Sequence, residues 1–260
     1  MIPFDLHTHT VYCDGKNTPE EMAHAALAQG MRCIGFSGHG YAPYDLDCCM
    51  TREKAAAYRA DIAALKEAYA GRLDILCGVE QDYWSEEDTA PYEYVIGSVH
   101  YVKRCGEMLC VDNTPEIARD AVERRFGGDW YAFAAAYFET VADVVNRTGC
   151  RIVGHFDLVS KFNERERFFD ENHPRYVAAW HDALDALLPC GVPFEINTGA
   201  MSRGWRTTAY PNADMIDYIR SHGGRLILSS DSHSDKTLRY GFERYEQLGE
   251  SLITNWKEIL

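Results

Sequence analysis

Apolar residues in this chain fall into short runs of four to seven, and most of these runs are separated by longer stretches with helical periodicity. Pro3 to Leu6, Cys33 to Ser37, Leu73 to Val79, Tyr94 to Val99, Arg151 to Gly154, Pro193 to Asn197 and Leu226 to Ser230 read as strands, apolar on both faces. Such runs suit a parallel sheet covered on both sides. Between them, Thr18-Pro19-Glu20-Glu21 is a capping box with proline at the first helical position, starting a helix that ends at Gly30. Further helices are expected from Thr51 to Tyr69, Pro115 to Phe126, Trp130 to Thr148 (capped by Gly149), Arg175 to Leu188 and Asn212 to His222. Tyr101 to Val111, with a Gly-Glu turn between apolar flanks, predicts a short hairpin. The alternation of strand and helix predicts an irregular seven-stranded α/β barrel of the (β/α)7 type, TIM-like in plan.

Composition narrows the picture. The 260 residues, 46% of them hydrophobic, suffice for one barrel domain spanning residues 1–260. A net charge of −14 argues against a nucleic-acid-binding surface of the usual basic kind. Nine cysteines with no C-x-x-C pair suit a reducing compartment. The first residues lack a basic and apolar leader, and no run approaches the ~18 apolar residues of a membrane span. The expectation is a cytoplasmic protein without nucleic-acid or membrane partners.

Chemistry concentrates where the strands end. His7 and His9 are two residues apart at a strand terminus, so both imidazoles can face one point. His39, Glu80, His100, His155, the pair Glu195 and Asn197, and then Asp231 and His233 close the other six strands. In α/β barrels the carboxyl ends of the strands carry the active site. Imidazole and carboxylate together are ligands for zinc, iron or manganese, and the absence of thiolates from this set argues against a structural zinc. A polynuclear metal site at the C-terminal mouth is therefore expected.

The motifs D-L-H-T-H-T...D-G, G-H-G, G-V-E, S-V-H-Y, G-H-F-D and S-D-S-H, in this order, resemble the polymerase and histidinol phosphatase (PHP) superfamily over essentially the whole chain. S-V-H-Y at Ser98 to Tyr101 and E-I-N at Glu195 to Asn197 resemble its histidinol-phosphate phosphatase branch. The resemblance implies two to three divalent metals. His7, His9, Glu80 and Asp231 would hold the first, bridging Glu80 with His100 and His155 the second, and Asp14, His39 and His233 the third. It departs from the family at Gly38, where an acid commonly precedes the histidine. The implied activity is hydrolysis of L-histidinol phosphate by a hydroxide shared between two metals, with Asp231 or His233 moving protons. Lys161, Arg203 and Arg206 are candidates for the phosphate; Glu195, Asn197 or Asp82 could meet the amine and imidazole end. Another small phosphate ester, such as a nucleotide or sugar phosphate, is the alternative substrate, and a non-catalytic metal-binding module the alternative class. His24, His173, His181 and His222 read as ordinary helix or surface residues.

Overall fold

The computed structural model describes residues 2–260. The first strand, β1 (Phe4–Asp5), leads through α1 (Pro19–Ala28) to β2 (Cys33–Phe36), and α2 (Arg52–Ala68) leads to β3 (Asp74–Asp82) and then β4 (Tyr94–Ser98). The hairpin β5 (Tyr101–Arg104) and β6 (Glu107–Cys110) follows, with α3 (Pro115–Phe126), α4 (Trp130–Ala142) and α5 (Val144–Thr148) before β7 (Ile152–Val153). Two short helices sit in mouth loops: α6 (Asn163–Glu166), and α8 (Gly199–Ser202) directly after β8 (Phe194–Asn197); α7 (Pro174–Leu187) lies between them. Finally α9 (Ala213–Ser221) leads to β9 (Leu226–Ser229), and residues 235–260 run over the barrel in single 3₁₀ turns.

Seven strands form one parallel sheet in the order β1-β2-β3-β4-β7-β8-β9. The sheet curls into a nearly closed barrel. Its seam is a single bridge, Thr8 to Ser232, where His9 N–H donates to Ser232 O at 2.8 Å and Ser232 N–H to His7 O at 3.1 Å. Below the bridge the buried Asp5 carboxylate accepts from Ser230 N–H at 3.1 Å and Arg239 N–H at 3.0 Å. Burial pushes the Asp5 carboxyl up, and these hydrogen bonds offset part of that cost.

Local chemistry explains the elements. Thr18 accepts from Glu21 N–H while Glu21 reaches back to the Thr18 N–H, so the capping box forms in full. Thr51 and Thr114 cap α2 and α3 with the side chain alone, accepting from Lys54 N–H and Ile117 N–H. Tyr94 fills the barrel centre. Its hydroxyl donates to Leu6 O at 2.5 Å, and a Cβ on Gly35 or Gly78 would come within 2.3 Å of its ring or hydroxyl. Only glycine leaves the ring that space.

Two expectations are corrected. The helix foreseen from Trp130 to Thr148 is two helices. Asp143 leaves helical geometry (φ −104°, ψ 1°), and its carboxylate accepts from Tyr83 Oη at 2.9 Å and Asn146 Nδ2 at 3.1 Å. An aspartate with such partners competes with the helix. Strand β3 also runs past its expected end, so Glu80 lies within the strand and Asp82 closes it.

Candidate active site

Glu80 is the centre of the arrangement. Its two oxygens face two groups of histidines. Oε2 lies 3.2 Å from His7 Nε2, 3.5 Å from His9 Nε2 and 3.0 Å from His39 Nδ1. Oε1 lies 2.8 Å from His155 Nε2 and 3.4 Å from His100 Nε2, and accepts from Ser98 Oγ at 2.7 Å. Burial would raise this carboxyl, but His7, His39 and His100 outweigh it and hold it well below the usual carboxylate range. Glu80 is thus an anion that imidazoles approach at both oxygens.

A second carboxylate enters from beyond β9. Asp231 Oδ1 lies 3.2 Å from His9 Nε2, 3.8 Å from His7 Nε2 and 3.5 Å from His233 Nδ1. Its other oxygen accepts from Arg203 Nη2 at 2.9 Å. Asp231 has φ +50°, an uncommon conformation for a residue with a side chain. Gly199 makes the approach possible, because a Cβ there would lie 2.6 Å from Asp231 Oδ2 and 2.7 Å from Arg203 Nη2. Asp14 completes the outer edge, 3.0 Å from His233 Nε2, 3.4 Å from His9 Nδ1 and 3.7 Å from His39 Nε2. Three or more donor atoms converge in His7, His9 and Glu80, in His39, Glu80 and His100, and in His9, Asp14, His39 and His233.

These residues fit divalent metal ions. His7 Nε2, His9 Nε2, Glu80 Oε2 and His155 Nδ1 are buried without a hydrogen-bond partner. Unpartnered buried polar atoms are costly unless something binds them. The imidazole and carboxylate donors suit zinc, iron or manganese. At Gly38 a side chain would press on Cys13 Sγ at 3.1 Å, so the departure from the family pattern also relieves a tight contact.

The cluster forms one end of a cleft of about 270 Å³, whose wall includes Lys161, Arg203, Tyr44, Tyr101, Asp82 and Asp112. Lys161 Nζ donates to Asp112 Oδ2 at 2.9 Å and to Asp112 O at 2.6 Å. Burial would raise the Asp112 carboxyl, yet Lys161 and His100 bring it down to about 2. Asp82 takes the backbone N–H of His100 at 2.7 Å and the Tyr44 hydroxyl at 2.5 Å. Asp82 stands two residues after Glu80 on the same strand face, a spacing that points it to the site. Asp112 and the tyrosines carry no comparable signal; the loop around Tyr44 stands out only as rich in Tyr, Pro and Asp.

Three of the expected substrate contacts lie off the cleft wall. Arg206 is buried away from the cleft, with Nη1 bonded to Ser160 Oγ and 3.4 Å from Asp157 Oδ2, and its guanidinium over the Tyr210 ring. A buried guanidinium needs such partners, and these turn Nη1 away from the cleft. Glu195 and Asn197 are fully buried behind the histidines and are absent from the cleft wall. Glu195 faces His7 and His155, and Asn197 holds Glu195. Burial would raise the Glu195 carboxyl, but His7 and His155 hold it below the usual range. His24, His173, His181 and His222 lie outside the metal-type clusters.

Comparison with known proteins agrees with this picture. Residues 5–199 match the PHP domain. The "Probable histidinol-phosphatase" of Deinococcus radiodurans is 32% identical, with 92% of this chain aligned to 89% of that one. A "Probable histidinol-phosphatase" of Schizosaccharomyces pombe is 27% identical over 89% of this chain and 81% of that one. Among solved structures, a protein of Listeria monocytogenes shares the fold with a TM-score of 0.82 at 18% identity, over 93% of this chain and 99% of that one. The histidinol phosphate phosphatase of Lactococcus lactis, complexed with zinc, L-histidinol and phosphate, superposes with a TM-score of 0.72 at 19% identity, over 97% and 95% of the two chains. With three quarters of its length matched by the family and its strand ends converging on one carboxylate, the chain belongs to the PHP domain family.

Proposed function

We propose that this chain, as one domain over residues 1–260, hydrolyses L-histidinol phosphate to L-histidinol and phosphate in the cytoplasm, as a step of histidine biosynthesis. The observation that carries the reading is the cluster on Glu80, set in a chain of which 92% aligns with the Deinococcus radiodurans relative. In this reading two to three divalent ions are held by His7, His9, Asp14, His39, Glu80, His100, His155, Asp231 and His233. Bound there, they lower the pKa of water and offset charge on the phosphoryl group.

The chain's own residues do the rest. Arg203 fixes Asp231 through Oδ2, which leaves Oδ1 facing the cluster to take a proton from the attacking water. His233, partly exposed beside Asp14, is the alternative group for moving that proton. Arg203 and Lys161 stand on the cleft wall and offer charge to the phosphate dianion. The small cleft admits a compact ester, and the chain's net charge of −14 disfavours a long polyanion.

The test is a phosphate-release screen over small phosphoesters, with manganese, zinc or iron supplied. Histidinol phosphate should give the highest kcat/KM. A preference for a nucleotide or sugar phosphate would move the substrate within the same chemistry, and no release from any ester would remove the enzymatic reading.

A further inference from the structure

Glu195 lies on β8, with both carboxylate oxygens occupied and none of its surface exposed. Oε1 is 2.7 Å from His7 Nδ1. Oε2 accepts the backbone N–H of His155 at 3.0 Å and Asn197 Nδ2 at 3.0 Å. His7 and His155 are two of the five histidines around Glu80, one at each oxygen. One buried anion therefore holds the side chain of one and the main chain of the other.

We infer that Glu195 is a positioning residue for the metal centre, fixing His7 as the Nδ1–H tautomer so that Nε2 presents its lone pair beside Glu80. The inference rests on the metal-dependent reading above. With two N–H donors already on Oε2, the Glu195 carboxyl acts as an acceptor, and its Oε1 faces His7 Nδ1 in the same role. The short contact at His7 Nδ1 is therefore a donation from the imidazole, which leaves Nε2 as the ring nitrogen that would face a bound metal ion. That atom is buried, without a hydrogen-bond partner, and 3.2 Å from Glu80 Oε2. A carboxylate behind a ligating histidine also raises the basicity of the ring.

The same face of β8 extends the support. Asn197, two residues on, holds Glu195 with its amide nitrogen and accepts Gly199 N–H at its oxygen, at 2.9 Å. That bond starts α8, whose last turn delivers Arg203 to Asp231. β8 thus contributes no direct ligand, yet it orients His7, the His155 backbone and, through α8, Asp231.

The experiment uses the full chain and Zn²⁺ or Mn²⁺ alone, titrated against a competing chelator, with folding checked by circular dichroism. Glu195→Gln keeps the shape and one acceptor, but places an amide N–H₂ against one of two donors. It should weaken at least one equivalent of metal by about ten- to a hundredfold. Its kcat should recover with excess metal while KM stays near the parent value, a split that general destabilisation does not produce. Glu195→Asp, which keeps the charge, should fall between Gln and parent. Nitrogen NMR of the zinc-loaded parent should show His7 protonated at Nδ1, and this readout needs no variant to fold. Parent-like metal affinity in Glu195→Gln, or His7 protonated at Nε2, overturns the inference. A metal-affinity gap in a parent that does not hydrolyse histidinol phosphate upholds Glu195 as a positioning residue and removes the substrate instead.

Discussion

The floor and the rim of the metal cluster are built differently. On the floor, His7, His9, Glu80 and His155 are at most 2% exposed. The strands, Ser98 and Glu195 hold three of them from behind. On the rim, the side chains of Asp14, His39, His100 and His233 are between 13% and 28% exposed. Asp14 and His39 have mostly one another, His233 and the floor as partners, and His233 also meets Arg203 and the Asp231 carbonyl. The floor is thus organised by the fold before any ion arrives, whereas much of the rim takes its order from what binds there. Buried, well-supported ligands lose less freedom on binding, so ions held by the floor should be the last to leave.

The largest effect should come from the floor. Glu80→Gln removes the bridging charge and should lower kcat by on the order of 10³, with a loss of more than one metal per chain by elemental analysis. A variant that kept the parent's metal content would show that Glu80 does not join the two halves.

Arg203→Ala should come next. A charge-assisted bond is typically about 1.5–3 kcal/mol, or roughly ten- to over a hundredfold in kcat/KM for every monoester tested. Metal content sharpens the result. If it holds, Arg203 acts on the phosphate; if it drops, Arg203 acts mainly by holding Asp231.

The smallest effect belongs to the rim. Asp14→Asn should release one equivalent of metal at a chelator concentration the parent tolerates. Activity should fall by roughly tenfold and return with added metal, in line with the modest strength of a partly exposed charge pair. Equal chelator sensitivity of Asp14→Asn and Glu80→Gln would erase the distinction between floor and rim.

The strand-end residues could be read from sequence because their order is local. His7 and His9 share a face through the two-residue strand period, and Glu80, His100, His155 and Asp231 each follow a recognisable apolar run. The helices with threonine caps were equally plain, and the structure reproduces them within a residue or two. The loops were not. α6 and α8 have four residues each, too short for a periodic signal, and their places are set by contacts across the barrel. Arg206 shows the difficulty: it shares a loop with Arg203, yet Ser160 and Asp157 draw it inward while Asp231 draws Arg203 to the cleft. Nothing local separates those two arginines. Glu195 and Asn197 were drawn to the site by their position, but whether a strand-end acid faces the cleft or the back of a histidine depends on the neighbouring strand.

The seam between β1 and β9 has a consequence for the order of events during synthesis. Asp5 and Ser230 meet across 225 residues of sequence, and His9 bonds to Ser232 across the same seam. Asp231 and His233 are made more than 200 residues after His7 and His9, and cannot reach them until that stretch has emerged from the ribosome. At ~5–20 residues per second the first histidines wait roughly ten to fifty seconds for their partners. The full donor set of the cluster therefore exists only once the last strand docks, and any ion taken up earlier would meet only part of it.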